Sequence, residues 1–204
     1  QLSGLEELPW SPQAEGAAAA IYRQAVHSRP VFITSNFEIK PGYIKSWNWV
    51  YSENKFVLKL DQTLKYHNGK AISAYDFEFV LVKPFLGTLG VSDQTPLMSI
   101  KGITKLKKGD KFRRNMVDGI KVIDDETIEI YLEKGHSRFL YTLASFVIAP
   151  LAPIEEFRDD LYNFKSTPIG CGNYRVTSFD SKTGQIRLER INGQRGPRIV
   201  DLFS

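Results

Sequence analysis

The side chains best equipped for chemistry are few: three histidines, one cysteine and one adjacent pair of aspartates. His27, His67 and His136 each lack a second His or Cys at metal-ligand spacing, so no metal site is expected. His67 sits in a turn, where an ordinary exposed imidazole is expected. Cys171 lies between Gly170 and Gly172. A reactive thiol needs a nearby base or cation, and the expected role here is a small buried thiol. Asp124 and Asp125 resemble an acid pair, but they fall in a hairpin turn, where Asp is favoured on backbone grounds alone. Ser73, Asp76 and His67 are close in sequence, yet Ser73 is placed to cap a helix, where it satisfies an orphan backbone donor. There is no nucleophile elbow, P-loop or dinucleotide fingerprint, and Gly170-Cys171-Gly172 is too short to be one. No catalytic residue, no cofactor and no enzyme activity are expected. A binding role fits better, because peptide recognition through backbone pairing needs few special side chains.

The elements that must position these residues are legible in several stretches. Phe56, Leu58 and Leu60 alternate with Val57, Lys59 and Asp61, the period of a half-buried strand. His67-Asn68-Gly69-Lys70 is a turn, with Gly69 expected at positive φ. Ser73 stands three residues before Asp76, a carboxylate capping box ahead of Phe77, Phe79 and Val80, so a helix is expected over 74–86, limited by Pro84. Ala17 to Val26 is a helix by propensity. Strands are expected at 29–34, 38–47 and 49–60, with turns at Ser35-Asn36 and Ser52-Glu53-Asn54. Gly119 to Leu132 reads as a hairpin around Asp124-Asp125. Arg138 to Phe146 has helical spacing, Ile154 to Tyr162 reads as a short amphipathic helix, and Gly172 to Arg190 as two strands joined through Ser181-Lys182-Thr183-Gly184.

Composition bounds the class. The 204 residues are 42% hydrophobic and 12% aromatic, enough for a packed core. Net charge is +4 and its one dense cluster, Lys105, Lys107, Lys108, Lys111, Arg113 and Arg114, reads as a solvated loop. No aromatic platform or recognition helix accompanies it, so no nucleic acid partner is expected. A single cysteine excludes an intramolecular disulfide. No apolar run reaches spanning length, and no signal peptide is visible.

Three segments, in order, resemble the extracytoplasmic solute-binding proteins of the oligopeptide/dipeptide/nickel class, family 5. The first is Tyr66, Asn68-Gly69 and Ser73-Ala74-Tyr75-Asp76-Phe77. The second is the hairpin from Gly119 through Asp124-Asp125 to Thr127. The third is Pro168-Ile169-Gly170-Cys171-Gly172-Asn173-Tyr174-Arg175-Val176, similar to the family's Pro-x-Gly-Thr-Gly-Pro-Tyr-x-Val but departing at Cys171 and Asn173. Pro41-Gly42-Tyr43-Ile44-Lys45-Ser46-Trp47 is also close to a family sequence, and the resemblance runs from about Ile21 to Phe203.

The resemblance implies a mixed α/β (α+β) fold, part of a type II periplasmic-binding-protein-like architecture. Residues 1–36 would be the first segment of the main lobe domain, 37–165 a small β-rich domain, and 166–204 the return segment. Family members are typically more than twice as long, so a truncated piece or a naturally shortened relative is implied. The implied function is the N-terminal lobe of a protein that binds a peptide or similar small molecule and delivers it to the permease subunits of an ABC importer, in the periplasm or another extracytoplasmic space. A shortened sensor or interaction domain reusing the fold is the alternative. Val26, His27 and Ser28 are the implied ligand-binding residues. Missing sheet partners would leave Val176, Ile186 and Leu188 exposed and promote self-association through 172–204.

Overall fold

The structure, a computed structural model, describes residues 17–87, 96–133, 135, 138–145, 151–158, 164–180, 182–191 and 193–203. His136, the end of the apolar run at 146–150, Tyr162 and Ser181 lie outside the described residues. The expected mixed α/β composition is observed: three sheets and three α-helices among the described residues.

The chain enters through α1 (Ala17–Val26), which buries Ala19, Tyr22 and Val26. Their spacing of three and four puts them on one helical stripe. Strands β1 (Val31–Ile33) and β2 (Ile39–Pro41) form a two-stranded antiparallel sheet. A four-stranded antiparallel sheet follows, in the order β3 (Ile44–Val50), β4 (Lys55–Leu60), β6 (Thr127–Tyr131), β5 (Ile120–Val122). The period-two pattern of β4 is realised: Phe56, Leu58 and Leu60 are covered, and Phe56 and Leu58 pair with Ile130 and Ile128 of β6. Asn54, at φ 50, turns the chain from β3 into β4.

Helix α2 (Ala74–Leu86) starts as its residues demand. Ser73 Oγ accepts from the Asp76 N–H at 3.2 Å, and Asp76 Oδ2 accepts from the Ser73 N–H at 3.2 Å, so two orphan donors are satisfied reciprocally. Pro84 lies in the last turn, and the helix closes two residues beyond it. Phe77, Val80 and Leu81 of α2 join the core of the four-stranded sheet. Phe79 points elsewhere, into a satellite cluster with Ala152, Phe157 and Phe164. Helix α3 (Phe139–Ser145) contributes Leu140, Leu143 and Ala144 to the larger core.

Two expectations need correction. In place of the helix expected over Ile154 to Tyr162, the described residues 154–158 hold one 3₁₀ turn, Ile154–Glu156. Phe157 is then extended and bridged to Phe164, which buries its ring and ends the turn. The second concerns the last sheet, which holds β7 (Tyr174–Asp180), β8 (Gln185–Arg190) and an unforeseen β9 (Ile199–Leu202) in that order. β8 is therefore flanked on both sides, with Ile186 opposite Leu202 and Leu188 opposite Val200. Val176, Ile186 and Leu188 are not exposed. They form a second core with Tyr22 and Val26 of α1 and with Leu202. A fully covered leucine such as Leu188 is stabilised by roughly 1.5–3 kcal/mol over an exposed one, so α1 and this sheet hold each other.

Candidate ligand-facing site

The two cores meet where the last turn of α1, the His67 turn and the segment Gly170–Gly172 pack together. The final carbonyls of a helix lack partners within it. Here the Val26 carbonyl accepts from the Gly172 N–H at 2.9 Å. The approach is close enough to require glycine. A Cβ on Gly170 would lie 1.9 Å from the Val26 oxygen, and one on Gly172 would lie 2.4 Å from the Ala25 oxygen. These glycines are needed for backbone contact, not for a phosphate.

On the opposite side, His67 grips the same segment three times. Its N–H donates to the Gly170 carbonyl at 2.9 Å. The ring Nδ1 accepts from the Gly170 N–H at 3.4 Å and Nε2 meets the Gly172 carbonyl at 3.1 Å. Only the neutral ring protonated at Nε2 satisfies both contacts. Burial pulls the pKa of His67 below the usual histidine value, and the Arg175 charge adds to this against the bond to Gly172. His67 is thus a half-buried clasp rather than the ordinary exposed imidazole expected of a turn.

The three residues singled out in the sequence sit at this seam. Val26 is fully covered within the second core. His27 is buried: its ring lies nearly parallel to Phe164 at 6.3 Å, stands edge-on to Tyr22 at 5.6 Å, and places Nε2 3.3 Å from Tyr22 Oη. Among the described residues its Nδ1 has no hydrogen-bond partner. An unpaired acceptor is better tolerated in an interior than an unpaired N–H, so Nε2–H donates to Tyr22. Burial, then the nearness of two basic groups, His67 and Lys83, bring the His27 pKa down to about 3. Ser28 is half-buried, and its backbone N–H serves the Cys171 sulfur. Burial pushes the Cys171 thiol up to about 11, so it stays protonated at neutral pH, the inert small thiol expected of it.

Other candidates resolve into backbone roles. Asp124 Oδ1 accepts from the Glu126 and Thr127 N–H groups at 2.9 and 2.7 Å, which lowers its pKa. Asp76 also accepts from Tyr66 Oη at 3.0 Å, and burial still leaves its pKa raised. Among the described residues no His, Cys, Asp and Glu cluster could hold a metal ion. Lys83 went unnoticed in the sequence. It is almost wholly buried on α2, with Nζ 3.7 Å from the Phe157 ring centre. Its spacing among Phe79, Val80 and Leu86 gave no warning, because the Phe157 ring that covers it arrives from a distant part of the chain.

With that geometry in place, relatives identify the chain. It belongs to the bacterial extracellular solute-binding proteins, family 5: the family profile, described as "Bacterial extracellular solute-binding proteins, family 5 Middle", matches residues 38–197. No curated protein sequence matches. Among solved structures, the substrate-binding domain of an oligopeptide ABC transporter from Bacillus anthracis is similar at 20% identity, with TM-score 0.72, over 91% of this chain and 36% of that one. AgaA of A. tumefaciens R10, solved with agropinic acid, aligns at 17% identity and TM-score 0.70 over 95% of this chain and 37% of that one. The Escherichia coli murein tripeptide binding protein aligns at 18% identity and TM-score 0.68 over 89% and 35%. At these identities the likeness is one of fold. The chain spans little more than a third of the length of these structures. Among the described residues no helix is long and apolar enough to cross a membrane.

Proposed function

We propose that this member of the solute-binding family forms part of the first lobe of a protein that captures a peptide or similar small solute outside the cytoplasm and passes it to an ABC-type import permease. The family match over residues 38–197 carries this reading. The substrates in the names of the structural relatives, an oligopeptide, a tripeptide and agropinic acid, support a small polar ligand. Residues 1–36 and 166–204 belong in this reading to the main domain of the lobe, and residues 37–165 to a small β-rich domain. The separate core that α1 shares with β7, β8 and β9 supports that division.

Val26, His27 and Ser28 then form the corner of the lobe nearest the ligand. Ser28, the half-buried member, approaches the solute, while Val26 and His27 hold the corner from behind. Two-walled clefts bury most of a ligand's surface, so the 204-residue chain alone is expected to bind peptides more weakly than micromolar.

Thermal unfolding of the protein encoded by the complete native reading frame, with pools of di-, tri- and pentapeptides, tests this. A ligand at a hundred times its Kd stabilises by about 2.7 kcal/mol, a shift of several degrees. Ser28→Trp should abolish the shift without lowering the unliganded Tm. If no pool shifts the wild type, or if Ser28→Trp leaves the shift intact, the reading fails.

A further inference from the structure

Beside the seam, and lined by none of Val26, His27 and Ser28, the start of α2, the loop from Gln62 to Ser73 and the segment around Phe112 and Arg114 form a groove of about 440 Å³, within the range of small-molecule sites. Part of its wall is apolar: Phe79 and Phe112 meet edge to face with ring centres 5.1 Å apart. Most polar groups lining it are already engaged. Lys70 pairs with Glu155 at 2.5 Å. Gln62 Nε2 donates to the carbonyls of Ile72 and Asp125 at 3.3 and 3.2 Å. Asp76 accepts from Tyr66 and twice from Ser73.

Arg114 differs. Its Cζ stands 4.1 Å from the centre of the Tyr75 ring. Among the described residues its guanidinium makes no hydrogen bond and no ion pair within 4.0 Å. The neighbouring acid, Glu78, is fully buried and takes the Asn115 N–H at 2.6 Å; the Arg114 charge acts on it through space, without a hydrogen bond. The guanidinium lies over the Tyr75 ring, and a guanidinium carries N–H donors in a fork that matches a carboxylate. Asp76, Asp125 and Glu155 also line the groove, so a second negative group on the ligand is disfavoured.

We propose that this groove is a binding site, distinct from the corner at Val26, His27 and Ser28, for a small monocarboxylate with an aromatic or aliphatic body: the carboxylate on Arg114, the body against Phe112, which Phe79 backs from the interior. The proposal stands independently of the transport reading. It is tested by NMR titration of the ¹⁵N-labelled chain with 3-phenylpropionate and its neutral analogue 3-phenylpropanamide. The acid should give saturable shifts centred on the amides of Tyr75, Phe79, Phe112 and Arg114. Arg114 is exposed, so Arg114→Gln should keep the wild-type Tm. It should weaken binding of the acid about tenfold or more, the loss of one charged hydrogen-bonded contact. The amide should bind the wild type no better than the acid binds that variant. Non-saturating shifts, shifts centred elsewhere, equal affinity in Arg114→Gln, or equal affinity of acid and amide would each overturn the proposal. The acid–amide comparison needs only the wild type and decides the matter even if the variant does not fold.

Discussion

Replacing His27 by phenylalanine should remove a large part of the protein's sensitivity to mild acid. In the unfolded chain a histidine titrates near pH 6.5, whereas in the folded protein this ring is held down to about 3. Below pH 6.5 the unfolded chain therefore takes up a proton that the folded protein refuses, and stability falls as the pH drops from 6.5 toward 3. At pH 5 the difference is about 2 kcal/mol by linkage, against about 0.2 kcal/mol at pH 7. The pH 5 figure depends almost wholly on the unfolded value, because the folded ring is already neutral there. The groups facing the ring are His67, Lys83 and the Tyr22 hydroxyl. Both chargeable neighbours are basic, so neither stabilises an imidazolium. Phenylalanine keeps the planar shape against Phe164 and loses only the contact with Tyr22, at about 1 kcal/mol. Urea unfolding at pH 7, 6 and 5, followed by tryptophan fluorescence, gives both stabilities. Carboxylates contribute alike to both proteins and cancel. His67→Gln should flatten the profile in the same direction, since the His67 pKa is also lowered. The wild type should lose about 2 kcal/mol more than His27→Phe between pH 7 and 5. Parallel profiles, or an NMR titration placing the folded His27 pKa near 6.5, would refute the reasoning.

Substitutions at three further positions separate kinds of glycine and test the helix cap. Gly170→Ala should cost roughly 3 kcal/mol, the upper end of overpacking, because the new methyl meets the Val26 carbonyl. Gly69→Ala should cost about 1–2 kcal/mol, since its φ is +85 but the space around it is open. Denaturant midpoints in the opposite order would show that strain at the turn outweighs contact at the seam. Asp76→Ala should cost about 0.5–2 kcal/mol through loss of the reciprocal cap, with Asp76→Asn recovering part of it; an unchanged midpoint would remove Asp76 from the cap.

Much of the fold was legible where the determinants are local. The alternation in β4, the alanine run of α1, the Ser73–Asp76 cap and the positive φ of Gly69 each depend on residues within a few positions of one another, and each is found as read. What escaped depends on partners far along the chain. β9 has no strong alternation of its own and exists because β8 offers it an edge, with Leu202 covered by α1. The turn at Ile154 shortens because Phe157 is drawn to Phe164. His67 looked exposed because its partners, Gly170 and Gly172, are a hundred residues away. The Gly170-Cys171-Gly172 motif makes the same point about function. Its departure from the family pattern at Cys171 invited a question about reactivity, and packing answers it. The flanking glycines bring the backbone against α1, so residue 171 must be small enough to fit beneath Ser28, whose N–H it faces. A threonine hydroxyl or a thiol meets that need, and neither requires chemistry beyond a single hydrogen bond.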